Sequence, residues 1–306
     1  MVKSGGRTGF EEWAAHFSEI APALTVKFWE DAAPHEVDYA MVWDPEPGRL
    51  AAMAQLRCIF GAGAGVDLIV RDPDFPAHIP LIRMTPAGAA QRMGDYVCWA
   101  ALHLLRGGRR MALAQARREW EDFSCASAPD TRVGIMGLGV MGARTAAMLQ
   151  GLGFPVHGWS RSAKGLPGVT DYVGDAALGD FLAATDLLVC LLPDTPATRG
   201  ILAAPLFEKL PRGATLINAG RGAQQNLPDI LAALDSGQLA GAVLDVFEPE
   251  PLAADNPAWT HERLTITPHV ASLPPRRERV EWVAACIAGI EAGRWPDKIF
   301  NPELGY

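Results

Sequence analysis

The sequence has no long apolar run: stretches such as Leu187–Leu192 end after six residues, far short of the roughly 18 that a membrane-crossing helix needs. No membrane partner is expected. It has no block of Lys or Arg either. Its 27 basic residues are scattered among 35 acidic ones, for a net charge of -8, which argues against a nucleic-acid partner. No Cys-x-x-Cys pair occurs; Cys58, Cys98, Cys125, Cys190 and Cys286 stand apart. That spacing suggests reduced thiols in a cytoplasmic protein, with neither a disulfide framework nor a metal site. The opening Met-Val-Lys-Ser-Gly-Gly-Arg lacks the apolar centre of a secretion signal, and no repeat or low-complexity tract follows. What remains is a chain of 306 residues, 49% apolar and 20% charged, able to bury a large core in one or two domains.

Along the chain, strand-like and helix-like segments alternate. Met1–Lys3, Leu24–Trp29, Tyr39–Trp43 and Cys58–Phe60 have strand character, and Phe10, Trp13, Ala14 and Phe17 fall at helical spacing. A short helix is expected over Leu50–Leu56 and a long one from Ala87 to about Glu121, interrupted at Gly107-Gly108. From Arg132 a second series opens. Its strands are Val133–Met136, Val156–Trp159, Leu187–Leu192, Thr215–Asn218, Ala242–Val246 and Leu264–Thr267, with helices between them such as 142–152 and Leu227–Ser236. The last helix, about Arg276–Ala292, is expected to pack back on the first part. The reading is an α/β chain of two Rossmann-like, doubly wound domains with a cleft between them. A flavodoxin-like substrate domain would take 1–97 plus 283–306, and a dinucleotide-binding domain 98–282. The first strand holds only two or three residues, so either it is truncated or the true start lies upstream.

Gly137-Leu138-Gly139-Val140-Met141-Gly142 fits G-x-G-x-x-G. In a chain with 31 glycines the pattern alone is weak, but here a strand precedes it and a helix follows. Gly137 would make the tight turn, Gly139 would give a pyrophosphate room, and Gly142 would let helix and strand touch. Val140 and Met141 open the helix, whose free N–H groups and positive dipole suit phosphate. An acidic residue at the end of the next strand would select NAD. The sequence there reads Ser160-Arg161-Ser162, with Lys164 beyond. Arg161 can pair with a 2′-phosphate and stack on adenine, and Ser160 and Ser162 can donate to it. NADP(H) is therefore the expected cofactor and NAD(H) the lesser alternative.

Three more segments follow strands: Asn218–Gly222, Asp245–Pro251 and Thr267–Ser272. They bring one arginine, one acid and one histidine to strand ends, where open α/β sheets bind ligands. Taken singly, Arg221 could be a surface cation, Glu250 a loop charge and His269 a helix cap; the set carries the argument. With the motifs G-A-G-A-G-V-D (61–67), G-L-G-V-M-G (137–142), W-S-R-S (159–162), L-L-P-D-T-P (191–196), N-A-G-R-G (218–222), L-D-V-F-E-P-E-P-L (244–252), I-T-P-H-V-A (266–271) and the terminal Gly305-Tyr306, the chain resembles the D-isomer-specific 2-hydroxyacid dehydrogenases over nearly its whole length, and within them the glyoxylate/hydroxypyruvate reductase A type.

The resemblance implies an NADPH-dependent reductase of small 2-keto acids. Arg221 would bind the substrate carboxylate and polarise the keto group, and His269 would protonate the developing alkoxide. Glu250 would hold His269; Glu248, the rival acid, sits at a variable position. It further implies Pro193 and Asp245 beside the nicotinamide, with the Asp245 carboxylate accepting from the carboxamide, and Ala219 among the cofactor contacts. Ala64, Gly65 and Trp43 would contact substrate, and a homodimer would form through the helix and loop from about Tyr96 to Phe123. The chemistry is consistent: hydride addition to a 2-keto acid builds negative charge on oxygen, which a guanidinium and an imidazolium stabilise. Bulkier 2-keto acids such as phenylpyruvate are the alternative substrates, and a non-catalytic dinucleotide sensor acting through partner binding is the alternative class. A phosphoglycerate dehydrogenase is disfavoured because no regulatory domain follows residue 306. Two departures from the family pattern stand out. Gly220 would add backbone freedom beside Arg221, and Gln224-Gln225-Asn226 replaces a stretch that commonly includes an acid.

Overall fold

The computed structural model describes residues 1–63, 65–86 and 88–302. The chain falls into two compact units, one made of 1–87 with 274–306 and the other of 88–273. In chain order the first unit supplies β1 (Val2–Lys3), α1 (Gly6–Ile20), β2 (Tyr39–Val42), β3 (Cys58–Gly61), α2 (Asp67–Val70) and β4 (Leu81–Ile82). The second supplies α3 (Ala89–Leu105), α4 (Gly108–Arg117), β5 (Val133–Met136), α5 (Val140–Gly151), β6 (Val156–Ser160), β7 (Thr170–Val173), α6 (Leu178–Ala183), β8 (Leu187–Cys190), α7 (Ala204–Phe207), β9 (Ala214–Asn218), α8 (Leu227–Ser236), β10 (Leu239–Leu244) and β11 (Leu264–Ile266). α9 (Arg276–Glu291) returns to the first unit. The sequence-based boundaries at 97/98 and 282/283 would each cut a continuous helix. The division instead falls just before α3 and just before α9, because a helix lends its whole apolar stripe to one core.

In the first unit β1, β2, β3 and β4 form a parallel sheet in that order. The segment expected as a strand over Leu24–Trp29 keeps only one parallel bridge, Val2 to Phe28, on the outer side of β1. Counting that bridge, the order is 2-1-3-4-5, the flavodoxin-like arrangement. The strand stops there because the next residues, Trp29–Asp31, turn into a 3₁₀ helix that buries the Trp29 indole. The helix expected over Leu50–Leu56 is also absent. Leu50, Met53 and Leu56 are all buried, and the turns between them close by i→i+3 bonds. A strict spacing of three suits 3₁₀-like turns better than the 3.6-residue period. On one face of the sheet, Trp13 and Phe17 of α1 interlock with Val280, Val283 and Ile287 of α9. Truncating a buried aromatic such as Phe17 to Ala should cost about 3–5 kcal/mol.

In the second unit seven parallel strands run β11-β10-β9-β8-β5-β6-β7. The chain starts in the middle at β5, works outward to β7, then crosses back to β8. The reversal between β5 and β8 is the topological switch point, where such sheets bind dinucleotides. β7 was not visible in the sequence because its four residues are exposed or half-buried, so they show no apolar run. α3 packs along α5 on one face, and an apolar cluster containing Phe181, Phe207 and Leu234 fills the other.

Candidate active site

All strands of the second sheet are parallel, so β8, β9, β10 and β11 deliver the segments that follow them to one edge. The framework of that edge is Asp245, the residue directly after β10, only 1% exposed. Its Oδ1 accepts from the Thr267 hydroxyl at 2.6 Å and from the Val270 N–H at 2.9 Å; its Oδ2 accepts from the Ala271 N–H at 2.9 Å. Its own carbonyl accepts from the His269 N–H at 2.8 Å. Tyr96 lies against Thr267 from the other side, its hydroxyl 2.6 Å from Oγ1. Burial pushes the Asp245 carboxyl above its ordinary value, and the bonds from Thr267, Ala271 and Val270 oppose but do not cancel that push.

His269 therefore sits in a loop held on both sides, and it needs that hold. Its φ is +54°, a left-handed conformation that a non-glycine residue adopts only at a cost of order 1–3 kcal/mol. The ring Nδ1 lies 2.8 Å from Oε2 of Glu250, whose Oε1 accepts from the Phe247 N–H at 2.9 Å. The two side chains are each about one-third exposed, 31% and 34%. Burial alone would raise the Glu250 carboxyl. The bond from His269, the Phe247 N–H and the charges of His269 and Arg221 overcome it and hold the group below the usual carboxylate range. The charges of His269 and Arg221 thus both favour the ionised Glu250 carboxylate. With Nδ1 committed to Glu250, Nε2 is the ring nitrogen placed to carry a transferable proton.

Arg221 follows β9 in an extended conformation. Its Nη1 donates to the Gly220 carbonyl at 2.8 Å, and its backbone N–H donates to Oε1 of Gln224 at 2.9 Å. The freedom expected of Gly220 is not what the structure shows. Its φ is not left-handed, its N–H is bonded to Asn218, and an added Cβ would lie 2.4 Å from Gln224 Oε1 and 3.0 Å from the Leu192 carbonyl. Glycine is required there for close packing. The local bonding that the amide-rich 224–226 stretch left open is also settled. Gln224 is fully buried, and Gln225 accepts from Asn218 and donates to the Val246 carbonyl, tying β9 to β10. Gln224, Thr267 and Tyr96 were missed as site residues; the unusual Gln-Gln-Asn run after Arg221 was the one available signal. Glu248 is exposed.

On the other side of the switch point the glycine turn has the shape its spacing implied. Gly137 has φ +101°, and a Cβ there would strike the Leu191 carbonyl at 2.8 Å. A Cβ on Gly142 would lie 2.0 Å from the Gly137 carbonyl. A Cβ on Gly139 would meet nothing within 4 Å, and α5 begins there with no side-chain cap, Val140 72% exposed and Met141 half-buried beside it. Open space in front of uncapped N–H groups is what a pyrophosphate requires, so these residues fit a dinucleotide. After β6 the buried Ser160 donates its hydroxyl to the Ser162 carbonyl, while Arg161 and Ser162 are exposed and Lys164 reaches the Ser162 hydroxyl. After β8, the Pro193 carbonyl accepts from Thr198 and Gln224. Ala219 is buried, its N–H bonded to the Cys190 carbonyl.

The family model described as D-isomer specific 2-hydroxyacid dehydrogenase, NAD binding domain, matches residues 98–271. The chain belongs to this family. It is 40% identical over 301 residues, 97% of this chain and 96% of the other, to the glyoxylate/hydroxypyruvate reductase A of Serratia proteamaculans. Among solved structures it is similar to the NADPH-dependent glyoxylate/hydroxypyruvate reductase of Sinorhizobium meliloti in complex with NADP and sulfate. That match has a TM-score of 0.89 and 40% identity over 97% of this chain and 96% of that one. A D-isomer specific 2-hydroxyacid dehydrogenase from Xanthobacter autotrophicus, in complex with NADPH and MES, matches with a TM-score of 0.89 and 36% identity over 100% and 98% of the two chains.

The first unit of this dehydrogenase presents the remaining expected residues. Trp43 follows β2 and lays its indole on the loop after β3, where a Cβ on Gly63 would lie 2.4 Å from Cζ3. Gly65 is half-buried in that loop. Ala64 and the terminal Gly305-Tyr306 lie outside the described residues. Among the described residues no helix is long and apolar enough to cross a membrane, and no cluster of His, Cys, Asp and Glu could hold a metal ion.

Proposed function

We propose that this chain reduces small 2-keto acids with NADPH, converting glyoxylate to glycolate and hydroxypyruvate to D-glycerate. The observation that carries the reading is the pairing of His269 with Glu250 through Nδ1 at 2.8 Å, on a carboxylate whose ionised form the Arg221 charge also favours. The relatives described above, a glyoxylate/hydroxypyruvate reductase A and an NADPH-dependent enzyme in complex with NADP, support it.

Bound NADPH supplies the hydride. The chain's own residues do the rest. The Arg221 guanidinium, a planar fork of donors, suits the two oxygens of a carboxylate and polarises the adjacent keto group. Negative charge grows on that oxygen as the carbon is reduced, and His269 Nε2 delivers the proton that makes it a hydroxyl. Glu250 keeps the ring turned with Nε2 forward. One keto acid, one NADPH and one proton give one hydroxy acid and NADP⁺.

Arg161, flanked by Ser160 and Ser162, would read the 2′-phosphate, and Gly137, Gly139, Val140, Met141 and Gly142 the pyrophosphate. Pro193, Ala219 and Asp245 would border the nicotinamide, and Trp43, Ala64 and Gly65 the substrate. The exposed apolar residues Trp99, Leu102, Met111 and Trp120, the last of them 100% exposed, favour a homodimer through α3, α4 and the following loop. Five free cysteines fit a cytoplasmic setting.

A screen of small 2-keto acids with NADPH and NADH tests the assignment. Oxidation of NADPH with glyoxylate and hydroxypyruvate, and little with phenylpyruvate, is expected. A preference for phenylpyruvate would move the assignment to bulkier acids, and no turnover with any of them would leave a dinucleotide sensor.

A further inference from the structure

We propose that Gln224 is a positioning residue for Arg221, one buried amide that ties the Arg221 backbone to the loop at Leu192–Pro193 and so sets where its guanidinium starts; this rests on the function proposed above. Gln224 is 0% exposed and all of its polar capacity is directed inward. Oε1 accepts from the Arg221 N–H at 2.9 Å and from the Cys190 thiol at 3.3 Å. Nε2 donates to the Leu192 carbonyl at 2.7 Å and the Pro193 carbonyl at 3.1 Å. Burial pushes the Cys190 thiol up to about 12, so it remains a donor at any ordinary pH. Two partners belong to the segment after β8, one to β8 itself, and one is Arg221.

Gly220 is the other half of the device. Its absent Cβ would stand 2.4 Å from the amide oxygen and 3.0 Å from the Leu192 carbonyl that the amide nitrogen binds. The two departures, Gly220 and Gln224, are therefore one feature. Removing the glutamine takes away the side-chain acceptor that holds the Arg221 N–H at 2.9 Å. A displacement of about 1 Å at a substrate-orienting group can cost up to about 100-fold.

The test uses oxalate, an unreactive dicarboxylate, binding to the full chain in the presence of NADP⁺. In Gln224→Met, oxalate affinity should fall about 10-fold while NADPH affinity changes less than about 3-fold. In an Arg221→Met background the same change should cost nothing further, because the guanidinium it positions is gone. An equal loss in both backgrounds would show that Gln224 acts on stability alone and overturn the proposal. Amide exchange at Arg221 gives a reading independent of substrate. It should accelerate in Gln224→Met while β10 stays protected, and unchanged exchange also overturns the proposal. If the wild-type chain neither binds oxalate nor reduces glyoxylate, the proposed function fails, and the exchange still decides the role of Gln224. Should Gln224→Met not fold, Gln224→Glu keeps the acceptor for Arg221. Its oxalate affinity, relative to wild type, should recover as acidification restores an O–H for the Leu192 carbonyl; no recovery overturns the proposal.

Discussion

At the ends of β8, β9 and β10 the polar side chains that frame the site are buried and bonded, whereas the turn after β6 stands in solvent. Asn218, Gln224 and Asp245 are at most 1% exposed and join neighbouring strand ends through amides and a carboxylate. Arg161, Ser162 and Lys164 are exposed on a short loop secured by Ser160 and by Asp171, which accepts from the Lys164 and Gly165 N–H groups. The difference fits the roles proposed above for the two regions. Proton transfer and carboxylate alignment need groups fixed to a fraction of an ångström. Recognising a 2′-phosphate needs only charge and donors within reach of a mobile anion. Substitutions on the buried side should therefore change turnover, and those on the exposed side should change cofactor choice.

The largest contrast is expected at Asp245. In Asp245→Asn an NH₂ group must face one of the donors that the carboxylate now accepts, at a cost of about 1–3 kcal/mol. The His269 loop would lose its frame, and kcat with glyoxylate should fall about 10–100-fold, more than the affinity for NADPH falls. A smaller and opposite split should follow Arg161→Asp: the KM for NADPH rises about 10-fold or more, that for NADH moves little, and kcat stays near wild type. Equal losses for both cofactors would mean that the 2′-phosphate is read elsewhere.

The smallest effect separates stability from chemistry. His157 on β6 is 7% exposed, with Nε2 2.8 Å from the Thr185 hydroxyl, and burial lowers its pKa to about 4. Between about pH 6.5 and 4 the unfolded chain takes up a proton that the folded chain refuses, so stability falls as pH is lowered through that window. The contribution is at most about 3 kcal/mol. Urea unfolding of His157→Gln at pH 7 and pH 5 should show a shallower loss than wild type; an equal loss would assign the acid sensitivity to other groups.

The parts legible in the sequence were those with a periodic or glycine signature. The fold class, the glycine turn and α8 could be read because strand–turn–helix alternation leaves a pattern in apolar spacing. β7 is too exposed to leave one. The segment around Phe28 has strand composition, but Trp29 takes it into a turn. Within the candidate site, Arg221, Glu250 and His269 stood out in the sequence as a set because each follows a strand, and the structure bonds His269 to Glu250. The role of Asp245 in holding the His269 loop, and that of Gln224 in holding Arg221, depend on bonds between segments far apart in sequence: 26 residues separate Asp245 from Ala271, and 32 separate Gln224 from Leu192. No local pattern encodes such bonds.

The central claim is that Arg221 and His269 serve one reaction at one carbonyl oxygen. Steady-state NADPH oxidation with glyoxylate in Arg221→Met, His269→Gln and the double variant tests it most directly. Each single change should lower kcat/KM about 100- to 10,000-fold with NADPH still bound, and the double variant should lose far less than the product of the two. Retained turnover in either single variant, or losses that simply multiply, would contradict it.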